Sequence, residues 1–286
     1  GVTTWSMEHK DVILKEKIGA GAYGTVWRAR MASNNKKVAV KRIEHGGGSD
    51  MLGEMMKEAK VMTLFDHPNI VKFYGYVVDR RPYLLVMEFC NGGSIEDRLR
   101  DYPKRLNVSI HQRIDMCCQA AIGIEYLHSK QCIHRDIASR NCLLSGKVLK
   151  VADFGMCRQT SAYKVNLAKP TNVRWLAPEV WRKAETNVKT DVFAFTIMLW
   201  EFFIIPYEAP YADWAAGQVK HHVMDGYRMS VPRDMPKKVG KVMEACWSHD
   251  EKKRPEMEEI RKKLFLERSK SIPSEPSEDS NGNTKK

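Results

Sequence analysis

Ile133-His134-Arg135-Asp136-Ile137-Ala138-Ser139-Arg140-Asn141, followed twelve residues after Asn141 by Asp153-Phe154-Gly155, is the stretch that decides the reading of this 286-residue chain. Asp136 and Asn141 lie five positions apart on a polar loop, where a carboxylate and an amide can orient a hydroxyl and ligate a metal together. Asp153 follows the strand-like run Val148-Leu149-Lys150-Val151. Hard cations such as Mg²⁺ prefer oxygen ligands and share them with phosphates, and Asn141 plus Asp153 offer such oxygens. Taken singly, each has a bland reading, Asp153 as a turn residue for instance. The ordered set is hard to explain by structure alone.

Upstream lie two further elements with the same chemistry. Ile18-Gly19-Ala20-Gly21-Ala22-Tyr23-Gly24-Thr25-Val26 carries a G-x-G-x-x-G pattern, in which missing Cβ atoms let the backbone turn tightly and approach a phosphate. A dinucleotide fingerprint leads from strand into helix. Here strand-like Thr25-Val26-Trp27 follows, which predicts a hairpin lid over phosphates. Val38-Ala39-Val40-Lys41 then ends an apolar strand on a Lys, either a snorkelling surface cation or a cation for nucleotide phosphates. In the second case a carboxylate on the next helix would hold it. Glu58 is the candidate, with Glu54 on the same face one turn earlier as the alternative.

The surrounding pattern has two halves. Short β-rich runs over residues 12–14, 23–27 and 37–40 precede an amphipathic helix, Ser49 to Phe65, and two more strands, Ile70 to Val77 and Tyr83 to Glu88. After Cys90-Asn91-Gly92-Gly93 the pattern turns helical. Ser109 to His128 predicts a buried helix of about five turns, and Val188 to Ile205 is apolar nearly all round, the mark of a helix inside a core. Val239 to Trp247 and Pro255 to Phe265 read as later helices. From Arg268 the composition turns to Ser, Pro, Glu, Asn and Lys, which predicts disorder over 268–286. The fold class expected is α+β, a small β-rich lobe joined by a Gly-bearing hinge to a larger helical lobe.

Composition narrows the function classes. Hydrophobic residues make up 43% and charged residues 29%, the balance of a globular protein with a real core. The longest apolar stretch, Val192 to Ile205, is too short to span a bilayer and contains Thr196 and Glu201. Gly1 to Lys17 has no apolar run of a signal peptide, and Gly1 in place of Met reads as a fragment or a processed chain. The seven Cys are odd in number and form no C-x-x-C pair, so a reducing, cytoplasmic compartment is expected. The net charge of +12 is scattered, and its densest region, Glu251 to Lys270, mixes eight Lys/Arg with five Glu like the wet face of a helix. No nucleic-acid partner is expected.

With these residues on the page, the chain resembles a eukaryotic protein kinase from about Val12 to Leu266. The Gly-rich loop, Val38-Ala39-Val40-Lys41, His134-Arg135-Asp136, Asp153-Phe154-Gly155 and Ala177-Pro178-Glu179 occur in the family's order. The resemblance implies ATP and Mg²⁺ (or Mn²⁺) as cofactors. It implies that Asp136 accepts the substrate hydroxyl proton, Lys41 with Glu58 binds the α/β-phosphates, and Asn141 and Asp153 hold the metal. Ile18 through Val26 and Ala39 would cover the nucleotide. Met87 would sit at the gatekeeper position, Glu88 and Cys90 on the hinge that pairs with adenine, and Leu143 beneath the purine. Glu179 with Arg254 would brace the helical lobe, and Asp191 would hold the catalytic loop.

Three features resemble tyrosine kinases in particular. Ala138 stands where serine/threonine kinases usually carry Lys, Arg140 stands four residues after Asp136, and Val173-Arg174-Trp175 precedes Ala177. Trp5-Ser6-Met7-Glu8-His9, His67-Pro68-Asn69-Ile70-Val71 and Cys132-Ile133-His134-Arg135-Asp136 are similar to the Fes/Fer group of non-receptor tyrosine kinases. That likeness implies an upstream phosphotyrosine-binding Src-homology domain outside this chain, with residues 1–10 as the end of its linker, 11–267 as the kinase domain (N-lobe 11–89, C-lobe 93–267), and recruitment to the membrane periphery. Tyr163, the sole Tyr between Asp153 and Glu179, is the expected phosphorylation site, with Arg135 and Arg158 as its cationic partners. Two departures stand out: Asn172 where the family usually has Pro, so that the surface receiving the residue after the target Tyr is expected to differ, and Phe193-Ala194-Phe195-Thr196 in the core helix. A catalytically silent kinase-like scaffold and a basic polyanion-binding protein are the alternatives.

Overall fold

The structure, a computed structural model, describes residues 4–21, 24–44, 50–101, 108–169 and 171–272. Its first half is a six-stranded sheet. The strands are β1 (Ser6–Met7), β2 (Val12–Gly21), β3 (Gly24–Met31), β4 (Lys37–Ile43), β5 (Phe73–Val77) and β6 (Tyr83–Glu88), in the spatial order β1-β5-β6-β4-β3-β2. Side chains alternate across a strand, and β4 shows the consequence. Val38 and Val40 are buried with Val12, Ala29, Val77, Leu84 and Val86 on one face. Ile43, of the opposite parity, packs with Met55 and Ala59 of α1 (Met51–Met62). Lys41 therefore leaves β4 on the face that α1 covers.

The helical half is built on α5 (Val188–Phe203), where every residue from Thr190 to Phe203 is buried. A helix that is apolar all round has no face to offer water; α3 (Ile110–Ser129) and α7 (Lys237–Cys246) pack on it directly, and α2 (Ile95–Arg100), α4 (Pro178–Lys183), α6 (Ala216–Met224) and α8 (Met257–Lys270) complete the helical half. Side chains mark the helix starts. Ser109 and Gln112 cap α3 reciprocally, and Asn187 and Thr190 do the same for α5. Short strands frame the loops between lobes: β7 (Cys132–Ile133), β8 (Cys142–Ser145), β9 (Val148–Val151), β10 (Arg158–Gln159), β11 (Tyr163–Lys164) and β12 (Glu185–Thr186). β8 pairs with β9, β7 with β10 and β11 with β12, each antiparallel. The hinge is tied to β8 by the Gly92 amide on the Leu144 carbonyl (2.8 Å) and the Leu144 amide on the Gly93 carbonyl (3.0 Å).

Two expected boundaries differ. Residues 1–10 were expected to be linker, yet from Trp5 the chain is part of the small lobe. β1 adds in parallel to β5, the Tyr76 amide donates to the Trp5 carbonyl (3.0 Å), and Trp5 stacks on Phe73 at 5.4 Å. Disorder was expected from residue 268, but α8 continues to Lys270, because Arg268 reaches Asp115 on α3 at 3.1 Å and lies over Phe265. Residues 273–286 lie outside the described residues, as do Ala22, Tyr23 and the expected helix start at Ser49.

Candidate active site

The sheet and the helical half meet along one cleft. Its roof is the β2–β3 hairpin, in register Gly19 to Val26, Ala20 to Thr25 and Gly21 to Gly24. Gly24 has a reason beyond any phosphate. Its φ is +145°, and a Cβ there would lie 2.0 Å from the Arg42 carbonyl oxygen of β4. At Gly21, by contrast, a Cβ would meet nothing within 4 Å, so no packing constraint accounts for glycine there. At the back, Met87 and Leu143 pack on Val71, Cys90 and Ala152, which gives the cleft an apolar lining between β6 and β8. Ala39 pairs with Met87 across β4 and β6, while Glu88 takes Lys150 at 3.0 Å. Ile18, half exposed, stands at the edge of the roof.

Lys41 Nζ lies 3.0 Å from Glu58 Oε2 and 3.3 Å from Oε1. Of the two candidate carboxylates, α1 thus turns Glu58 to the lysine. Glu54, one turn earlier, bonds Lys57 (3.1 Å) and faces Arg158 (3.8 Å). Burial raises the Glu58 carboxyl above the ordinary carboxylate range, with Lys41 pulling the other way.

Below the cleft, the loop after β7 is held from inside the core. Asp191 of α5 accepts the His134 amide (2.8 Å), the Arg135 amide (3.0 Å) and a bond from His128 Nε2 (2.9 Å). Arg135 sits at φ +70°, a left-handed conformation that a non-glycine residue holds only where its surroundings insist. Buried His134 donates from Nε2 to the Ala152 carbonyl (2.9 Å), and its Nδ1 accepts the Asp136 amide (3.1 Å). Asn141 donates to the Asp136 carbonyl (2.7 Å), and Arg140 Nη2 donates to Asp136 Oδ1 (2.6 Å). Phe154 is fully buried against Phe65 and His134, which turns Asp153 outward into the cleft at φ +57°. One small lobe roof, one lysine and three polar residues of two loops therefore converge.

A family model for protein tyrosine and serine/threonine kinases matches residues 12–264. The chain belongs to this kinase family. Among curated relatives, tyrosine-protein kinase Fer of Homo sapiens is 36% identical over 265 residues, 92% of this chain and 32% of Fer. The transforming protein Fps of avian sarcoma virus (strain PRCII) is 35% identical over 270 residues, 93% of this chain and 50% of Fps. Fer-related kinase 1 of Caenorhabditis elegans is 35% identical over 264 residues, 91% of this chain and 66% of that protein. The chain spans roughly a third to two thirds of the length of these relatives. Among the described residues no helix is long and apolar enough to cross a membrane.

Other parts of the kinase domain are held by contacts between residues far apart in sequence, some expected and some not. Glu201, the acid in the apolar helix α5, accepts the Ser139 amide (3.1 Å), the Ser139 hydroxyl, Trp175 Nε1 (2.8 Å) and the Tyr207 hydroxyl (2.7 Å). It thus props the loop between Asp136 and Asn141 from below. Its only sequence signal was a charge inside an apolar run. Arg254 and Glu179 form a buried pair (2.5 and 2.8 Å). Tyr163 lies in β11 with the guanidinium of Arg135 4.2 Å and that of Arg158 5.2 Å from its ring centre. A hydrogen bond from Arg158 lowers the Tyr163 hydroxyl below the ordinary phenol value. Asn172, at the end of the same segment, donates from Nδ2 to Asp136 Oδ1 at 2.7 Å, a contact no local pattern announces.

Proposed function

We propose that this domain is an ATP-dependent, non-receptor protein tyrosine kinase that transfers the γ-phosphate of ATP to tyrosine hydroxyls of protein substrates in the cytoplasm. The observation that carries the reading is Asp136: one carboxylate oxygen is anchored by Arg140, and among the described residues nothing donates to the other. A base with one oxygen held and one open can receive a hydroxyl proton without rotating first. Arg140, four residues on, takes the place that a Lys two residues after the base would have filled, which leaves Ala138 small and favours a bulky phenol.

The remaining residues have assignable parts. Lys41, held by Glu58, binds the α/β-phosphates under the glycine roof, and Met87, Glu88, Cys90 and Leu143 enclose the purine. Asn141 spends its amide nitrogen on the Asp136 carbonyl and keeps its oxygen free, and Asp153 is exposed. That pair of hard oxygens suits Mg²⁺, which takes its other ligands from phosphates and water. Among the described residues no cluster of three His, Cys, Asp or Glu would hold a metal by itself. Asn141 and Asp153 would hold such an ion, which would supply positive charge against the negative charge developing on the transferred phosphoryl group. Tyr163 is the residue whose phosphorylation would add charge between Arg135 and Arg158.

The deciding experiment is transfer of labelled phosphate from Mg-ATP to a Glu/Tyr copolymer, with Ser/Thr polymers in parallel and Asp136→Asn as control. Label on tyrosine that the control abolishes is the expected result. Binding of Mg-ATP without transfer, after Tyr163 has been phosphorylated, would favour a silent scaffold instead.

A further inference from the structure

Asn172 precedes the short turn Val173–Trp175, and its own carbonyl accepts the Trp175 amide at 3.1 Å. Its side chain is exposed and crosses 36 residues of sequence to reach Asp136 Oδ1 at 2.7 Å. Arg140 donates to the same oxygen at 2.6 Å. The backbone of Asp136 is already held at both ends, by His134 at its amide and Asn141 at its carbonyl. What remains free is rotation of the carboxylate, whose terminal torsion is intrinsically broad. Two donors on one oxygen restrict that rotation and leave Oδ2 without a donor among the described residues.

The two donors come from different pieces of chain. Arg140 belongs to the same loop as Asp136 and is itself fixed, with its guanidinium 4.5 Å above the ring of Trp175 and Trp175 bonded to Glu201. Asn172 belongs to the end of the segment that carries Tyr163. Asn172 is the donor that belongs to the segment itself, whereas Arg140 senses the segment only through the ring of Trp175.

Resting on the assignment of Asp136 as the proton acceptor, we propose that Asn172 is a positioning residue for phosphoryl transfer, a neutral donor that ties the orientation of the catalytic carboxylate to the placement of the activation segment. A hydrogen bond to a charged group is among the stronger ones a side chain makes, and a donor lost there acts on the chemical step without touching the nucleotide pocket.

The test is single-turnover phosphate transfer to the Glu/Tyr copolymer by rapid quench, with Mg-ATP-preincubated protein. Asn172→Leu keeps the size and removes the donor; Asn172→Gln keeps an amide donor on an exposed site with room for it. The expected result is a fall of about tenfold in the transfer rate for Asn172→Leu, equivalent to about 1.4 kcal/mol, with the nucleotide dissociation constant and melting temperature unchanged. Asn172→Gln recovers most of the rate. A wild-type rate for Asn172→Leu, a loss shared with nucleotide affinity or melting temperature, or a rate for Asn172→Gln no better than that of Asn172→Leu would each overturn the positioning role while leaving the kinase reading intact. Absence of transfer by the wild-type protein would instead overturn that reading, and this one with it.

Discussion

Removing the Glu179 carboxylate strands a buried cation, and the cost follows from its surroundings. The Arg254 side chain is 0% exposed and its partner 1%. In Glu179→Ala the guanidinium keeps two neutral acceptors, the Ser248 carbonyl at Nε (3.0 Å) and the Lys189 carbonyl at Nη1 (3.0 Å), and the face of Phe193 at 5.0 Å. It loses both charge-assisted bonds to Glu179. Breaking a buried pair from one side costs about 3–5 kcal/mol, because the uncompensated charge stays desolvated. For a domain of this size each kcal/mol moves the midpoint by about 2–4 °C, so the expected loss is on the order of 10 °C. Differential scanning fluorimetry reads it directly. The control is Glu258→Ala, which breaks the Glu258–Lys262 pair on α8, where both partners are more than 60% exposed; it should move the midpoint by about a degree or less. Replacing both partners, as in Glu179→Leu with Arg254→Met, should recover more than half of the loss. A Glu179→Ala protein that melts within about two degrees of wild type would refute the reasoning.

Three further outcomes follow from the site. Because burial raises the Glu58 carboxyl, it takes up a proton at higher pH than an exposed Glu, and Lys41 then loses its anion; the stability linked to that proton is fully present below the ordinary carboxylate range and lost as pH rises through the raised value. The acid limb of kcat/KM should accordingly begin above the usual carboxylate range and be missing from the weakly active Glu58→Gln, and a limb of unchanged position in that variant would contradict it. Titration of the phenols by absorbance near 295 nm should contain one component below the free value of about 10, absent in Tyr163→Phe and shifted back up in Arg158→Ala; equal traces for all three proteins would count against the Arg158–Tyr163 bond. The Cys90 thiol is pushed up to about 11, chiefly by burial, so at pH 8 only about one molecule in a thousand carries the thiolate, and peptide mapping after iodoacetamide should find Cys90 labelled at least an order of magnitude more slowly than a free thiol.

The arrangement of the candidate site was legible in sequence where the chain does the arranging locally. His134, Asp136, Arg140 and Asn141 bond one another within a single loop, so their order and spacing carry the geometry. Lys41 was legible on an alternating strand, although β4 runs two residues past it to Ile43; Glu58 was the candidate over Glu54, and the rotation of α1, set by where Met55 and Ala59 bury against the sheet, is what turns Glu58 to the lysine. Contacts across long sequence separations were out of reach: Asn172 to Asp136, and Glu201 to Ser139 across 62 residues, leave no periodic trace. Asn172 was marked only as an unusual residue at its position. Strands such as β1, β7 and β11 are two residues long, too short for alternation to register, and they exist because backbone groups of a neighbouring strand are available. Composition at 268–270 does not reveal that Arg268 has Asp115 to reach, so the last turn of α8 read as tail.

Glu54 and Glu58 stand one turn apart on α1, the first facing Arg158 of the activation segment and the second gripping Lys41. In the terms of a mechanism, two levers are keyed to one shaft. A turn of the helix about its axis that withdraws Glu58 from the lysine also shifts Glu54, whose carboxylate faces Arg158 at 3.8 Å, and the Arg158 guanidinium lies 5.2 Å from the ring centre of Tyr163. The shaft thus joins the lysine of the roof to the segment that carries Tyr163.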